Sequence, residues 1–365
     1  MEGIEYLVAL SHFQHFGPRR LKWLFNYFGS WEKAWSASGH NLSQVGLKNN
    51  LVEKFIEFRQ KTKIETLLNY IQDHDIKLLD LEDKLYPSLL KEIYAPPPLL
   101  YYRGQLTAQS FTLPLAVVGS RKITNYGKHV CQNLVRELVN NNLTIISGLA
   151  LGIDALAHEI ALDNNGQTIA FLGCGVEQIY PRENHKLGGK ILAQNGLLIS
   201  EFPPQTIPFK TNFPRRNRLI AGASLGVLVI EAGEKSGALI TARYGLEANR
   251  EIFAIPGPIC NKNSLGTNNL IKLGAKLISE AKDITNSLGL EEFKLKQQNK
   301  TLLPSSPDET LILKNLDVAN CHINELVKST GLDINVINSR LTIMEMKGLV
   351  KHLGNMQYIK LVSKK

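Results

Sequence analysis

The sequence predicts an α/β protein, a mostly parallel sheet with helices on both sides, preceded by a helical domain and followed by a compact domain of helices with a β-wing. Three observations carry that prediction. Short runs rich in Val, Ile and Leu recur between Leu115 and Ile255, with segments of helical apolar spacing between them. Glycine-containing turns follow those runs at the points where a strand would feed a helix. Both ends of the chain lack this alternation and carry apolar residues at helical spacing instead.

The totals fit. A chain of 365 residues is long enough for one large core and smaller attached domains, and 44% apolar content is that of a globular protein. The net charge of +9 favours an acidic partner, nucleic acid first. Cys131, Cys174, Cys260 and Cys321 are far apart and form no C-x-x-C pair, which speaks against a zinc knuckle or a disulfide framework and for a reducing compartment. No signal peptide and no stretch of transmembrane length is read, so the expected location is cytoplasmic, with no membrane partner.

Residues 1–70 read as short helices, a SAM-like or helix-hairpin-helix-like domain. Tyr6, Leu7, Leu10 and Phe13 form one stripe; Leu21, Leu24, Phe25 and Phe28 form another; Ser30 is placed to cap the next helix. The turn His15-Phe16-Gly17-Pro18-Arg19-Arg20 is similar to helix-hairpin-helix turns that offer backbone N–H groups to a phosphate, though a plain packing role is preferred. Residues 71–114 read as a connector, in which Pro96-Pro97-Pro98 forms an extended strap.

The strands are predicted at Leu115–Val118, Leu143–Ile146, Thr168–Leu172, Leu197–Ile199, Val227–Ile230 and Glu251–Ile255, within a domain spanning 115–290. Ligands of such sheets bind beyond the carboxyl ends of the strands. The turns there are Gly119-Ser120-Arg121-Lys122, Ser147-Gly148 through Asp154, Gly173-Cys174-Gly175, and Glu231 through Ser236-Gly237. Glycine permits close backbone approach, and Ser hydroxyls and helix N–H groups suit phosphate oxygens. The segment Phe213-Pro214-Arg215-Arg216-Asn217-Arg218 reads as a turn into a helix with Pro214 at its first position. Cations at a helix N-terminus are unfavourable and need an offset, either a carboxylate such as Glu201 or a bound phosphate chain. No dinucleotide fingerprint, P-loop or H-E-x-x-H is present, so no cofactor, metal or catalytic residue is assigned. His158 is read as a helix-surface or packing residue, Asp154 as a cap, and Tyr180, Phe202 and Phe213 as core residues in preference to stacking platforms.

Residues 291–308 have linker composition, and 309–365 read as a winged helix. Asp333 caps a third helix, which offers Asn335, Asn338, Arg340 and Lys347 to a groove, a modest set that fits a protein-contact module or a weak DNA clamp at least as well as sequence-specific reading.

The ordered set Val117-Val118-Gly119-Ser120-Arg121, Ser147-Gly148-x-Ala150-x-Gly152-Ile153-Asp154, Gly173-Cys174-Gly175, Ile179-Tyr180-Pro181, Phe213-Pro214-Arg215-Arg216-Asn217-Arg218 and Glu231-Ala232-x-x-x-Ser236-Gly237 closely resembles the DNA-processing protein A family (DprA/Smf). The resemblance implies an extended Rossmann-like core, no catalysis, and sequence-independent binding of single-stranded DNA during natural transformation. It further implies loading of the RecA recombinase, work against single-strand-binding protein, and a homodimer formed through the central domain. The matching DNA-contact positions are Gly119, Ser120, Arg121, Ser147, Gly148, Arg215, Arg216, Asn217 and Arg218, and geometry adds Ser236 and Gly237. Two other readings are a nucleotide-cleaving hydrolase, whose Pro-Gly-Gly-x-Gly-Thr loop is missing here, and a ligand-sensing regulator with the winged helix as reader.

Overall fold

The computed structural model describes residues 3–290, 306–316, 321–346, 349–354 and 356–360. The chain forms two compact units, Met1–Ile284 and Thr285–Lys365. Most of the linker expected at 291–308, together with Lys347 and Gly348, lies outside the described residues.

The first unit is built on a nine-stranded sheet: β1 (Lys77–Asp80), β2 (Leu99–Gly104), β3 (Pro114–Val118), β4 (Thr144–Ser147), β5 (Thr168–Phe171), β6 (Leu197–Ser200), β7 (Gly226–Val229), β8 (Glu251–Ala254) and β9 (Lys276–Leu277). Their order is β1-β2-β6-β5-β4-β3-β7-β8-β9. Pairing from β6 through to β9 is parallel throughout. The central strands β3 to β7 are buried along their length, as a sheet covered by helices on both faces requires. Chain order runs one way from β3 to β6 and the other way from β7, so β3 and β7 flank the topological switch point where such folds open a ligand crevice.

The connector reading of 71–114 is corrected. That stretch supplies β1 and β2, which extend the sheet by antiparallel pairing, Tyr101 opposite Ser200 among others. The triple proline is buried ahead of β2, and the Pro97 carbonyl accepts a 2.8 Å hydrogen bond from the Tyr86 hydroxyl. The N-terminal helices share a core with one face of the sheet: Leu7, Phe13, Phe16 and Phe55 cluster with Tyr101, Leu172 and Leu198. Tyr101 is fully buried with its hydroxyl 2.6 Å from Ser11 Oγ. Ser30 caps the Trp31–Ser36 helix, as its sequence position predicts.

The second unit has helices Pro307–Asn315, Ile323–Thr330 and Ile334–Met346 and a small sheet in the order β10 (Cys321–His322), β12 (Gln357–Lys360), β11 (Val350–Gly354). Ile312, Leu326, Ile337, Leu341, Met344 and Val350 form its core. Asp333 accepts from the Asn335 N–H at 2.8 Å, the cap expected of it. This is a winged helix.

Candidate nucleic-acid interface

A cleft of about 700 Å³ opens at the carboxyl ends of β3 and β7. Its floor is a set of loops locked to one another by side chains the chain buries there. Glu231, 1% exposed at the end of β7, accepts from the Thr124 N–H at 3.0 Å and from the Thr124 hydroxyl. Thr124 in turn caps the Asn125–Asn140 helix through the Gly127 N–H, so the loop after β3 is held at both ends. The Ile153 N–H donates to the Ser120 carbonyl at 3.2 Å, tying the loop after β3 to the turn after β4. Gly152 has φ 83°, and a Cβ there would collide with the Ser120 carbonyl; the motif needs glycine for both reasons.

The arginine segment lies across this floor. Its helix is Asn212–Gly222, so Pro214 is the third helical residue and not the first, and the faces rotate accordingly. The arginines then part company. Arg216 is 4% exposed and donates to the carbonyls of Gly148, at 2.6 Å, and Phe171. It packs so closely under the Gly148 turn that a Cβ on Gly148 would sit 2.6 Å from its Nη2. Burial lowers its pKa to about 10 against the opposing pull of Asp154. Asp154 is buried too, and burial pushes its carboxyl up while the Arg216 charge and the Gly148 N–H at 3.1 Å hold it down. Asp154 therefore ties the turn to the helix; the cap position itself belongs to Gly152. Arg218 is ion-paired with Glu201 and donates to the Ala95 carbonyl at 2.6 Å, so the carboxylate offset is realised there. Arg215 turns to the other side of the helix, 5.1 Å above the Phe202 ring. Asn217 lines the cleft and donates to the Gly237 carbonyl at 3.3 Å.

Of the residues expected in one site, Gly119, Ser120, Arg121, Arg216, Asn217, Ser236 and Gly237 line the cleft, and Gly148 lines an adjoining recess with Arg121 and Arg216. The Ser147 side chain does not reach it: the residue is fully buried and its hydroxyl donates to the Val117 carbonyl at 2.6 Å, stitching β4 to β3. Arg215 and Arg218 lie outside this lining.

Sequence reading missed the other cations. Lys122, Lys210 and Lys235 line the cleft and are exposed. Lys122 and Lys235 stand inside motifs already singled out, and their position there was the available signal; Lys210 had none. The core reading of Tyr180 is also corrected. It is 44% exposed, lines the cleft, and stacks on Phe213 with ring centroids 5.7 Å apart and planes 25° from parallel. The Arg121 guanidinium sits 5.7 Å from the Phe213 ring. Phe202, at 5% exposed, is a core residue as read. Among the described residues Asp154 is the sole carboxylate on the lining, and it is buried. Among the described residues no group of His, Cys, Asp and Glu is arranged to hold a metal ion. Of the two places read for His158, helix surface or packing, it takes the second and is buried.

A cationic crevice at the switch point of a Rossmann-like sheet, with glycine turns held in place and an aromatic pair, together with a winged helix, defines an α/β binding protein with a cleft suited to a polyanion. The chain belongs to the DNA recombination-mediator protein A family, whose model matches residues 77–289, while that of the DprA winged helix domain matches 296–356. The first match begins at β1, so the strands read as connector are part of the family's core. The chain is similar to protein Smf of Synechocystis, 36% identical over 97% of this chain and 98% of that protein. It is 40% identical to DNA processing protein DprA of Bacillus subtilis over 68% of this chain and 81% of that one. The X-ray structure of Streptococcus pneumoniae DprA superposes with a TM-score of 0.67 at 34% identity, covering 77% of this chain and 97% of that one. Helicobacter pylori DprA, whose structure describes a single-stranded DNA binding mode, matches with a TM-score of 0.53 at 34% identity over 60% of this chain and 98% of that one.

Proposed function

We propose that this protein binds single-stranded DNA without regard to sequence, protects a strand taken up during natural transformation, and loads RecA recombinase onto it against single-strand-binding protein. The observation that carries the reading is the lining of the cleft at the switch point. Arg121, Lys122, Lys210 and Lys235 are exposed cations suited to a phosphate backbone, and the Tyr180–Phe213 stack is a platform for a base. The lining amides are engaged on the protein itself, Asn217 donating to the Gly237 carbonyl and Asn263 to that of Lys122, and cations with stacking rings are the chemistry of sequence-tolerant binding. The likeness to the Helicobacter pylori protein supports the same partner. A binding role without catalysis is supported by the carboxylates: Asp154 is buried and hydrogen-bonded, and Glu231 is engaged by Thr124, so neither is placed to move a proton on a bound strand.

The protein acts as a homodimer in the cytoplasm. The sheet supports pairing between copies, because β9 is an edge strand, its Leu277 is 50% exposed and Leu273 just ahead of it is 85% exposed. Among the described residues no helix is long and apolar enough to cross a membrane.

Anisotropy titrations of labelled single strands of two unrelated sequences, and of their duplex, test the reading. Equal affinity for both strands and a clear preference over duplex are expected, followed by faster RecA assembly on strands coated with single-strand-binding protein. Duplex preference would contradict it, and release of free base from nucleoside monophosphates would establish the hydrolase alternative instead.

A further inference from the structure

We propose that the bound strand does not end at the switch-point cleft but continues over the Asn212–Gly222 helix into a second groove, where the N-terminal helices supply its phosphate contacts and a stacking ring. The inference rests on the single-strand reading above. The groove, about 590 Å³, lies between the Gly17-Pro18 turn and the other face of that helix. Arg19, Arg20, Arg215 and Arg218 line it, and among the described residues no carboxylate does. Arg218 is neutralised by Glu201. For the other three the described structure gives rings and carbonyls as neighbours: Arg19 lies 5.3 Å from the Tyr94 ring, Arg215 lies 5.1 Å from the Phe202 ring, and Arg20 donates to the His15 carbonyl at 2.6 Å.

Guanidinium groups gathered without acids repel one another and raise the local potential, which an anion relieves. Two observations make that anion a single strand. The first is Trp23 on the groove wall, 48% exposed, with Tyr94, 83% exposed, beside Arg19. Exposed rings interleaved with arginines suit unpaired bases, whereas the base faces of a duplex are already stacked on one another and are closed to a side-chain ring. The second is continuity. Phe213, Arg216 and Asn217 face the first cleft and Arg215 and Arg218 face the second, so one helix forms the ridge between them. A helix with its side chains is about 10–12 Å thick, which a few extended nucleotides span. The Pro18–Phe28 helix starts at this groove with Pro18 at its first turn, leaving its opening N–H groups towards the same space. The arginine run and glycine turn at its start, for which packing alone seemed sufficient, thereby gain a ligand.

The test is a length series on the full chain, comparing wild type with the double variant Arg19→Ala/Arg20→Ala and with Trp23→Ala, on oligothymidylates of about 6 and about 16 nucleotides. Both arginines are exposed, and a thermal melt checks that the variants fold. The double variant is expected to bind the short strand within about twofold of wild type. It should lose roughly tenfold on the long one, with a salt slope there shallower by about 1.4 for two lost phosphate contacts. Trp23→Ala should likewise weaken only the long strand. Wild-type affinity for both lengths, or an equal loss on both, would overturn the second groove while leaving the first cleft standing. Failure of the wild type to bind either length would remove the single-strand reading and this inference together.

Discussion

Arg216 and Arg121 both look like phosphate ligands in the sequence, and their surroundings give them opposite work. Arg216 is sealed under the Gly148 turn and holds two backbone carbonyls, with Asp154 nearby. Removing it leaves buried acceptors and a buried carboxyl unmatched, and Arg216→Ala should cost roughly 3–5 kcal/mol of stability. Arg121 is exposed, so Arg121→Ala should stay within about 0.5 kcal/mol of wild type. Denaturant unfolding of the two variants decides it; equal stabilities would mean that Arg216 is a ligand and not a strut. The run of cations was legible in the sequence, but which of them point into solvent was not. That depends on where the helix begins, and a start at Asn212 turns each arginine to a different neighbour. Tyr180 was misjudged for a similar reason. An aromatic residue looks the same in sequence whether its ring meets a core or stacks on Phe213 at a cleft.

At the scale of elements, the central strands were legible because buried parallel strands are continuous runs of Val, Ile and Leu, as in β3 and β7. β1 and β2 were not. Both lie at the antiparallel end of the sheet beside a proline run that reads as a breaker; β1 pairs with β2, and the strand that ties β2 to the rest of the sheet, β6, is far away in sequence. The joint between β5 and the Ile153–Asp163 helix carries a pH prediction. Thr168 donates its hydroxyl to the Ile145 carbonyl at 2.9 Å, so it accepts from His158 Nδ1 at 2.6 Å, and the buried Nε2 has no partner among the described residues. Burial drives the His158 pKa down to about 3, so the folded protein keeps the ring neutral. The unfolded chain protonates it near the ordinary value, about 6.5. As pH falls through that window the unfolded state binds the proton first, and stability declines by up to about 1.4 kcal/mol per pH unit. Burial shifts His12 the same way, so the comparison is between variants. Urea titrations at several pH values between about 4 and 6 should show a shallower decline in His158→Gln than in wild type. Parallel curves would mean that His158 is not the group responsible.

Across the whole molecule, charge and fold act together. A chain with a net charge of +9 has an electrostatic bias towards polyanions, and the sheet concentrates part of that charge at its switch point through Arg121, Lys122, Lys210 and Lys235. The winged helix forms a unit with its own core. The central claim is that this cleft holds phosphates of a single strand. The most direct measurement is the affinity for one labelled oligonucleotide across a salt series, for wild type and for Arg121→Ala combined with Lys235→Ala. The account predicts a steep negative slope for wild type, and for the double variant weaker binding and a slope shallower by about 1.4, as loss of two backbone contacts gives for single strands. Unchanged affinity and slope in a folded double variant would contradict it.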